Sequence, residues 1–154
     1  MKINNTVLCW LLIVIAIIIP LLGAAYIHYQ RNNFSCEIHS AIVDDNSVVD
    51  VIMNYTLNQG VGNYESSGEY IAKGKDPIAI SNKITFHYWR EADRVIMISD
   101  ETNSLPKRVE AYRSYIPDFF QQRDRGISLQ ITRANTSSYL FIYGGAPIFY
   151  CSKN

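Results

Sequence analysis

Two regimes of hydrophobic patterning divide the chain. Residues 7–27, VLCWLLIVIAIIIPLLGAAYI, are almost wholly apolar, and no charged side chain falls between Lys2 and Arg31. Beyond residue 33 the apolar positions instead recur with a period of two. A run of about 20 apolar residues matches the hydrocarbon core of a bilayer, where a helix satisfies its own backbone hydrogen bonds. Trp10 stands near one end of the run and Tyr26 and Tyr29 near the other, where amphipathic rings favour the interface. Pro20 predicts a kink of a kind that membrane helices tolerate. The same residues also allow a cleaved signal peptide: Lys2 as the positive region, 7–19 as the apolar core, and Gly23-Ala24-Ala25 before the cut. The run continues past Pro20 with no polar region after it, so the expectation is an anchor. Either reading exports the remainder. The division expected is 1–6 inside, 7–29 across the membrane and 30–154 as the exported domain.

The period of two predicts strands. In 34–43, Phe34, Cys36 and Ile38 share one face, with Glu37 and His39 on the other. After the turn Asp44-Asp45-Asn46, positions 49, 51, 53, 55 and 57 are Val, Val, Met, Tyr and Leu, opposite Asp50 and Asn54. A glycine-bearing turn over 58–63 leads to strands at 64–73 and 84–90, joined by the loop Gly74-Lys75-Asp76-Pro77. Glu91-Ala92-Asp93 connects to a strand at 94–100, completing an antiparallel meander. Alternation fails over 101–126, which holds two prolines, five basic residues and the pair Phe119-Phe120. This stretch reads foremost as a solvated long connection, with a lid, a short helix or a plug of the barrel mouth as the other readings. Strands resume at 127–133, 139–143 and 148–151, with turns at Ala134-Asn135-Thr136 and Gly144-Gly145. About eight short strands at regular spacing predict a small all-β barrel or sandwich.

Composition agrees with this division. Of 154 residues, roughly 120 remain after the anchor, enough for one core-forming domain. Eleven tyrosines and six phenylalanines favour strands. Fourteen basic against fourteen acidic side chains give no net charge, so nothing points to a polyanionic partner, nucleic acid included.

Cys9 lies in the apolar run, while Cys36 and Cys151 bracket the exported domain. In an oxidising compartment they are natural disulfide partners; two free, buried thiols are the other reading. A bond would bring the first and last strands together, as closure of a barrel requires.

Catalytic constellations are missing. His28, His39 and His87 show no metal-ligand spacing, no CxxC occurs, and no serine sits in a nucleophile elbow. No enzyme, metal or cofactor is therefore expected. Asn-x-Ser/Thr triplets at Asn4, Asn33, Asn54 and Asn135 matter only in a glycosylating host. A small barrel is either filled by side chains or holds one apolar ligand. An aromatic-rich lining suits an amphipathic molecule with a flat apolar body. The candidates for such a lining are Met53, Tyr55, Tyr70, Phe86, Tyr88, Phe119, Phe120 and Phe141.

A short N-terminal anchor, a first strand FSCEI and a last strand PIFYCSKN, with LPKRVEAY and IPDFF between them, resemble the FidL-like membrane proteins of enteric bacteria. More distantly the layout is similar to ToxS and VtrC. The resemblance implies a single-pass protein of the bacterial inner membrane with its C-terminal domain in the periplasm. It implies a co-component of a membrane-bound transcription regulator that carries a cytoplasmic winged-helix domain. The periplasmic domain would then form a lipocalin-like barrel with the regulator, one that holds a bile salt in the VtrC branch. Only Cys36 and Cys151 carry over as matched positions, in a structural role.

Two functions from different classes follow. One is a regulatory binding module, docking a partner at an edge strand left by an incomplete barrel and binding an apolar or bile-salt-like molecule. The other is a stand-alone structural or stress-related envelope protein with a filled core and no small ligand. A cavity among the inward positions favours the first; a packed interior favours the second.

Overall fold

The computed structural model describes residues 5–102 and 117–153. It divides into two units, Met1–Asn33 and Phe34–Asn154. The first holds one helix, α1 (Asn5–Asn32). Its stretch Thr6–Asn32 is long and apolar enough to cross a membrane, a length and composition that an anchor and an export signal share. Pro20 lies inside α1, where it cannot donate to the carbonyl of Ala16.

The second unit is a closed antiparallel barrel of eight strands in sequence order. These are β1 (Phe34–Asp44), β2 (Ser47–Asn58), β3 (Val61–Ala72), β4 (Ile78–Glu91), β5 (Arg94–Thr102), β6 (Gly126–Asn135), β7 (Ser138–Tyr143) and β8 (Ala146–Lys153). The period of two that predicts the strands also sorts their faces. Val49, Val51, Met53, Tyr55 and Leu57 of β2 are all buried, while Asp50, Ile52 and Thr56 between them face out. Two glycines let strands approach closely. A Cβ on Gly68 would lie 2.0 Å from the Asp50 carbonyl oxygen, and one on Gly62 would lie 2.2 Å from the Phe86 ring.

β3 and β4 run further than alternation alone indicates. The turn between β2 and β3 contracts to Gln59-Gly60, and β4 begins at Ile78 rather than 84. The segment Ser81-Asn82-Lys83 looks loop-like in sequence. Here Ser81 and Lys83 face solvent, while Asn82 points inward and is half-buried.

The reading of 101–126 as a solvated connection needs correction in its described part, since 103–116 lie outside the described residues. A 3₁₀ turn, Asp118–Phe120, follows Pro117, and both Phe119 and Phe120 are buried. Burying two aromatic rings outweighs the polar character of the sequence around them.

Closure occurs where β1 meets β8. The ladder there is confined to Cys36 with Lys153 and Glu37 with Ser152. Beside it, Cys36 and Cys151 form a disulfide with Cα atoms 5.4 Å apart, and both are fully buried. The ring closes within one chain, unlike the barrel shared with a regulator that the resemblance implies.

Candidate ligand cavity

A chain of aromatic contacts crosses the interior and decides which part of it is filled. Phe141 meets Tyr55 at 5.1 Å between ring centroids, Tyr55 meets Tyr64 at 5.0 Å, and Tyr64 meets Phe120 at 4.6 Å. Phe119 then meets Phe120 edge-on at 4.9 Å and Phe86 at 5.7 Å. Phe119 thus fills the interior beside β4, and Phe120 is left as a wall.

Polar contacts from inward positions hold this plug. Asn82 donates its side-chain N–H to the Phe120 carbonyl (2.8 Å). The fully buried Ser99 donates its hydroxyl to the Gln122 carbonyl (2.6 Å) and accepts from the Arg125 N–H (3.0 Å). Ser99 also exchanges backbone hydrogen bonds with Asp124 and Arg125, so the segment after the 3₁₀ turn is stitched to β5. These bonds satisfy groups that would otherwise be buried without partners.

On the other side of Phe120 lies a cavity of about 220 Å³. Val51, Met53 and Tyr55 of β2 and Tyr64 of β3 form one wall, and Ile127 and Leu129 of β6 form another. Its remaining lining comes from Ser40 and Ile42 of β1, Tyr143 of β7, Ile148 and Phe149 of β8, and Pro117 beside the plug. Ile42, Tyr143 and Ile148 are exposed, so the cavity opens where β1 and β8 run beyond their short ladder. Among the described residues that line it, no side chain is charged.

Of the eight residues expected to line a pocket, Met53, Tyr55 and Phe120 line this cavity. Phe86, Tyr88, Phe119 and Phe141 are buried in the packed core instead, and Tyr70 is half-buried against it. Sequence reasoning missed Ser40, Ile42, Val51 and Tyr64, although extending the parity of β1, β2 and β3 places all four inward. Ile127 and Leu129 share the inward parity of Ile131 in β6, while the β8 residues carry no such signal. Their exposure to a cavity depends on where the plug goes.

His39 and His87 of the barrel do not line this site. His39 is exposed and meets Glu37 at 2.8 Å, and His87 lies 3.6 Å from Asp100 on the outer surface. Among the described residues no group of three or more His, Cys, Asp or Glu side chains is placed to hold a metal ion.

No curated protein matches the chain. A family model, that of the YqeJ C-terminal domain, matches residues 33–151 and so takes in nearly all of the barrel unit. The chain belongs to the YqeJ C-terminal domain family.

Proposed function

We propose that this protein is a membrane-anchored, periplasmic binding module that takes a small apolar or amphipathic molecule into its barrel and modulates a membrane-bound winged-helix transcription regulator. The observation that carries the reading is the cavity beneath the β1–β8 mouth, whose described lining carries no charge and which lies beside a cluster of buried aromatic and aliphatic side chains. Apolar cavities of this kind favour apolar guests, because a guest replaces weakly held water and restores lost dispersion contacts. A buried disulfide supports export to an oxidising compartment. The apolar helix α1 supports anchorage in the bacterial inner membrane.

The regulator enters through the resemblance to the FidL-like proteins and, more distantly, to ToxS and VtrC. With the ring closed by its own eight strands, a partner docks against this barrel and does not complete it. Coupling then follows from linkage: a ligand that favours the assembled pair stabilises that pair by mass action. The rival reading is a stand-alone structural or stress-related envelope protein, and the filled half of the interior around Phe86 and Phe119 favours it.

Crosslinking and pull-down of the full-length protein from its native membrane, with and without bile salts, separates the two. Recovery of a single-pass protein bearing a DNA-binding domain is the expected result. Recovery of only the protein itself or of general envelope proteins under both conditions would sink the regulatory reading.

A further inference from the structure

Resting on the ligand-binding reading above, we propose that the ligand is a single-chain amphiphile whose tail of roughly nine carbon atoms occupies the cavity, with its head at the β1–β8 mouth. A steroid nucleus does not fit the site. Three observations carry this: volume, shape and the placement of polar atoms.

The cavity measures about 220 Å³. An engineered cavity of about 150 Å³ holds the six carbons of benzene, and the same proportion gives room for roughly nine carbons here. A fused steroid nucleus alone has nearly twice that number. Whole drug-sized ligands occupy pockets that begin at about 300 Å³.

Shape points the same way. Three successive inward residues of β2, Val51, Met53 and Tyr55, line the cavity, so it extends for about 13 Å along that strand. A volume of about 220 Å³ spread over that length makes the cavity elongated along β2. An elongated cavity of this volume suits one hydrocarbon chain better than a fused ring system.

Polarity fixes the orientation. The deep wall of Met53, Ile127, Leu129 and Phe120 offers no charged partner, so a charged or hydrated head buried there would lose its water without compensation. At the mouth, Ile148 and Tyr143 are exposed, and a head placed beside them stays in water. Among the described lining residues no charged side chain selects the head, so recognition rests chiefly on the tail.

The test uses the full chain in phospholipid nanodiscs, with isoleucine and leucine methyl groups labelled for NMR. It is titrated with hexanol, octanol, decanol, tetradecanol, decanoate and cholate. The isoleucines of α1 report partition of each probe into lipid, and Ile127 and Leu129 report occupation of the cavity. Expected are saturable shifts at Ile127 and Leu129. Referred to free probe, affinity tightens about fourfold per added methylene up to roughly nine carbons and then levels off. Decanoate is expected to follow decanol, and cholate to leave both reporters unmoved. Ile148→Trp, at an exposed position of the mouth, is expected to weaken decanol binding at least tenfold. Leu129→Phe, which fills the cavity from its deep wall, is expected to do the same.

Cholate moving the reporters as strongly as decanol would overturn the tail inference and leave the ligand-binding reading standing. Tightening that continues undiminished to tetradecanol would overturn the size limit. Decanol binding unaffected by Ile148→Trp would overturn the position of the mouth. If no probe moves Ile127 or Leu129, the ligand-binding reading falls as well.

Discussion

Of the described glycines, Gly68 and Gly62 leave the least room for a Cβ, and the atoms they face differ in how far they can yield. A Cβ at Gly68 meets backbone, the Asp50 carbonyl oxygen at 2.0 Å and the Val51 Cα at 2.7 Å. A Cβ at Gly62 meets the Phe86 ring at 2.2 Å, and that ring is fully buried. Backbone relief requires β2 and β3 to separate, whereas ring relief requires one side chain to repack. Gly68→Ala is therefore expected to cost about 3 kcal/mol or more, and Gly62→Ala about 1–3 kcal/mol. Urea midpoints of the two variants check this order; equal midpoints would show that the β2–β3 contact yields more easily than its packing suggests. The disulfide is the other single-residue lever. Cys36 and Cys151 are 115 residues apart, and a cross-link of that span removes about 5 kcal/mol of unfolded-state entropy in the chain-entropy model. The Cys36→Ser/Cys151→Ser pair is expected to lose most of that amount, since only a short ladder otherwise joins β1 to β8. Denaturant unfolding under oxidising conditions measures the loss.

At the scale of elements, the plug is the part whose behaviour the packing most directly predicts. Ser99 joins it to β5 through both hydroxyl and backbone, so Ser99→Ala strands the Gln122 carbonyl and the Arg125 N–H. A loss of about 1–3 kcal/mol is expected, concentrated in the segment after the 3₁₀ turn. Hydrogen exchange checks it: amides around residues 119–125 should lose protection while β2 and β3 keep theirs. Uniform loss would mean that the plug unfolds only with the barrel. These elements also mark how far the sequence could be read. β2 was legible because five alternating apolar residues leave no other face to bury. The ends of the chain were legible because the two bracketing cysteines could bond only if β1 and β8 met. The first half of β4 was hidden, since Ser81-Asn82-Lys83 carries no apolar period. Its register is imposed by pairing with Glu65, Ser66 and Ser67 of β3. The cavity was legible only in part, and for a related reason. Parity places Met53, Tyr55, Phe86 and Phe141 inward alike, but only the position of Phe119 decides which of them face solid core and which face open space. That choice is a long-range packing decision which no local pattern encodes.

For the whole molecule, the consequence of closure is independence. Eight strands from one chain complete the ring, and a covalent bond holds it at the seam where pairing is shortest. A barrel that needed strands from a regulator would expose open edges when alone and would aggregate or be degraded. Here every strand pairs with both neighbours, β1 and β8 by a short ladder that the disulfide clasps, so residues 33–154 exported behind a cleavable signal are expected to fold as an oxidised monomer in cells that lack any partner. The bond also reports on which side of the membrane the native domain resides. Domain stability is typically about 5–15 kcal/mol, so a contribution near 5 kcal/mol makes the oxidised form the one that persists. Oxidising compartments maintain such bonds and the cytosol does not. Full-length protein taken from native membranes, denatured without reductant and treated with a bulky maleimide is therefore expected to label at Cys9 alone. After reduction it should label at Cys36 and Cys151 as well. Labelling of all three thiols before reduction would place the barrel in a reducing compartment, and the periplasmic binding module would fail with it. One label before reduction and three after would put the cavity mouth within reach of the amphiphiles that enter the envelope from outside.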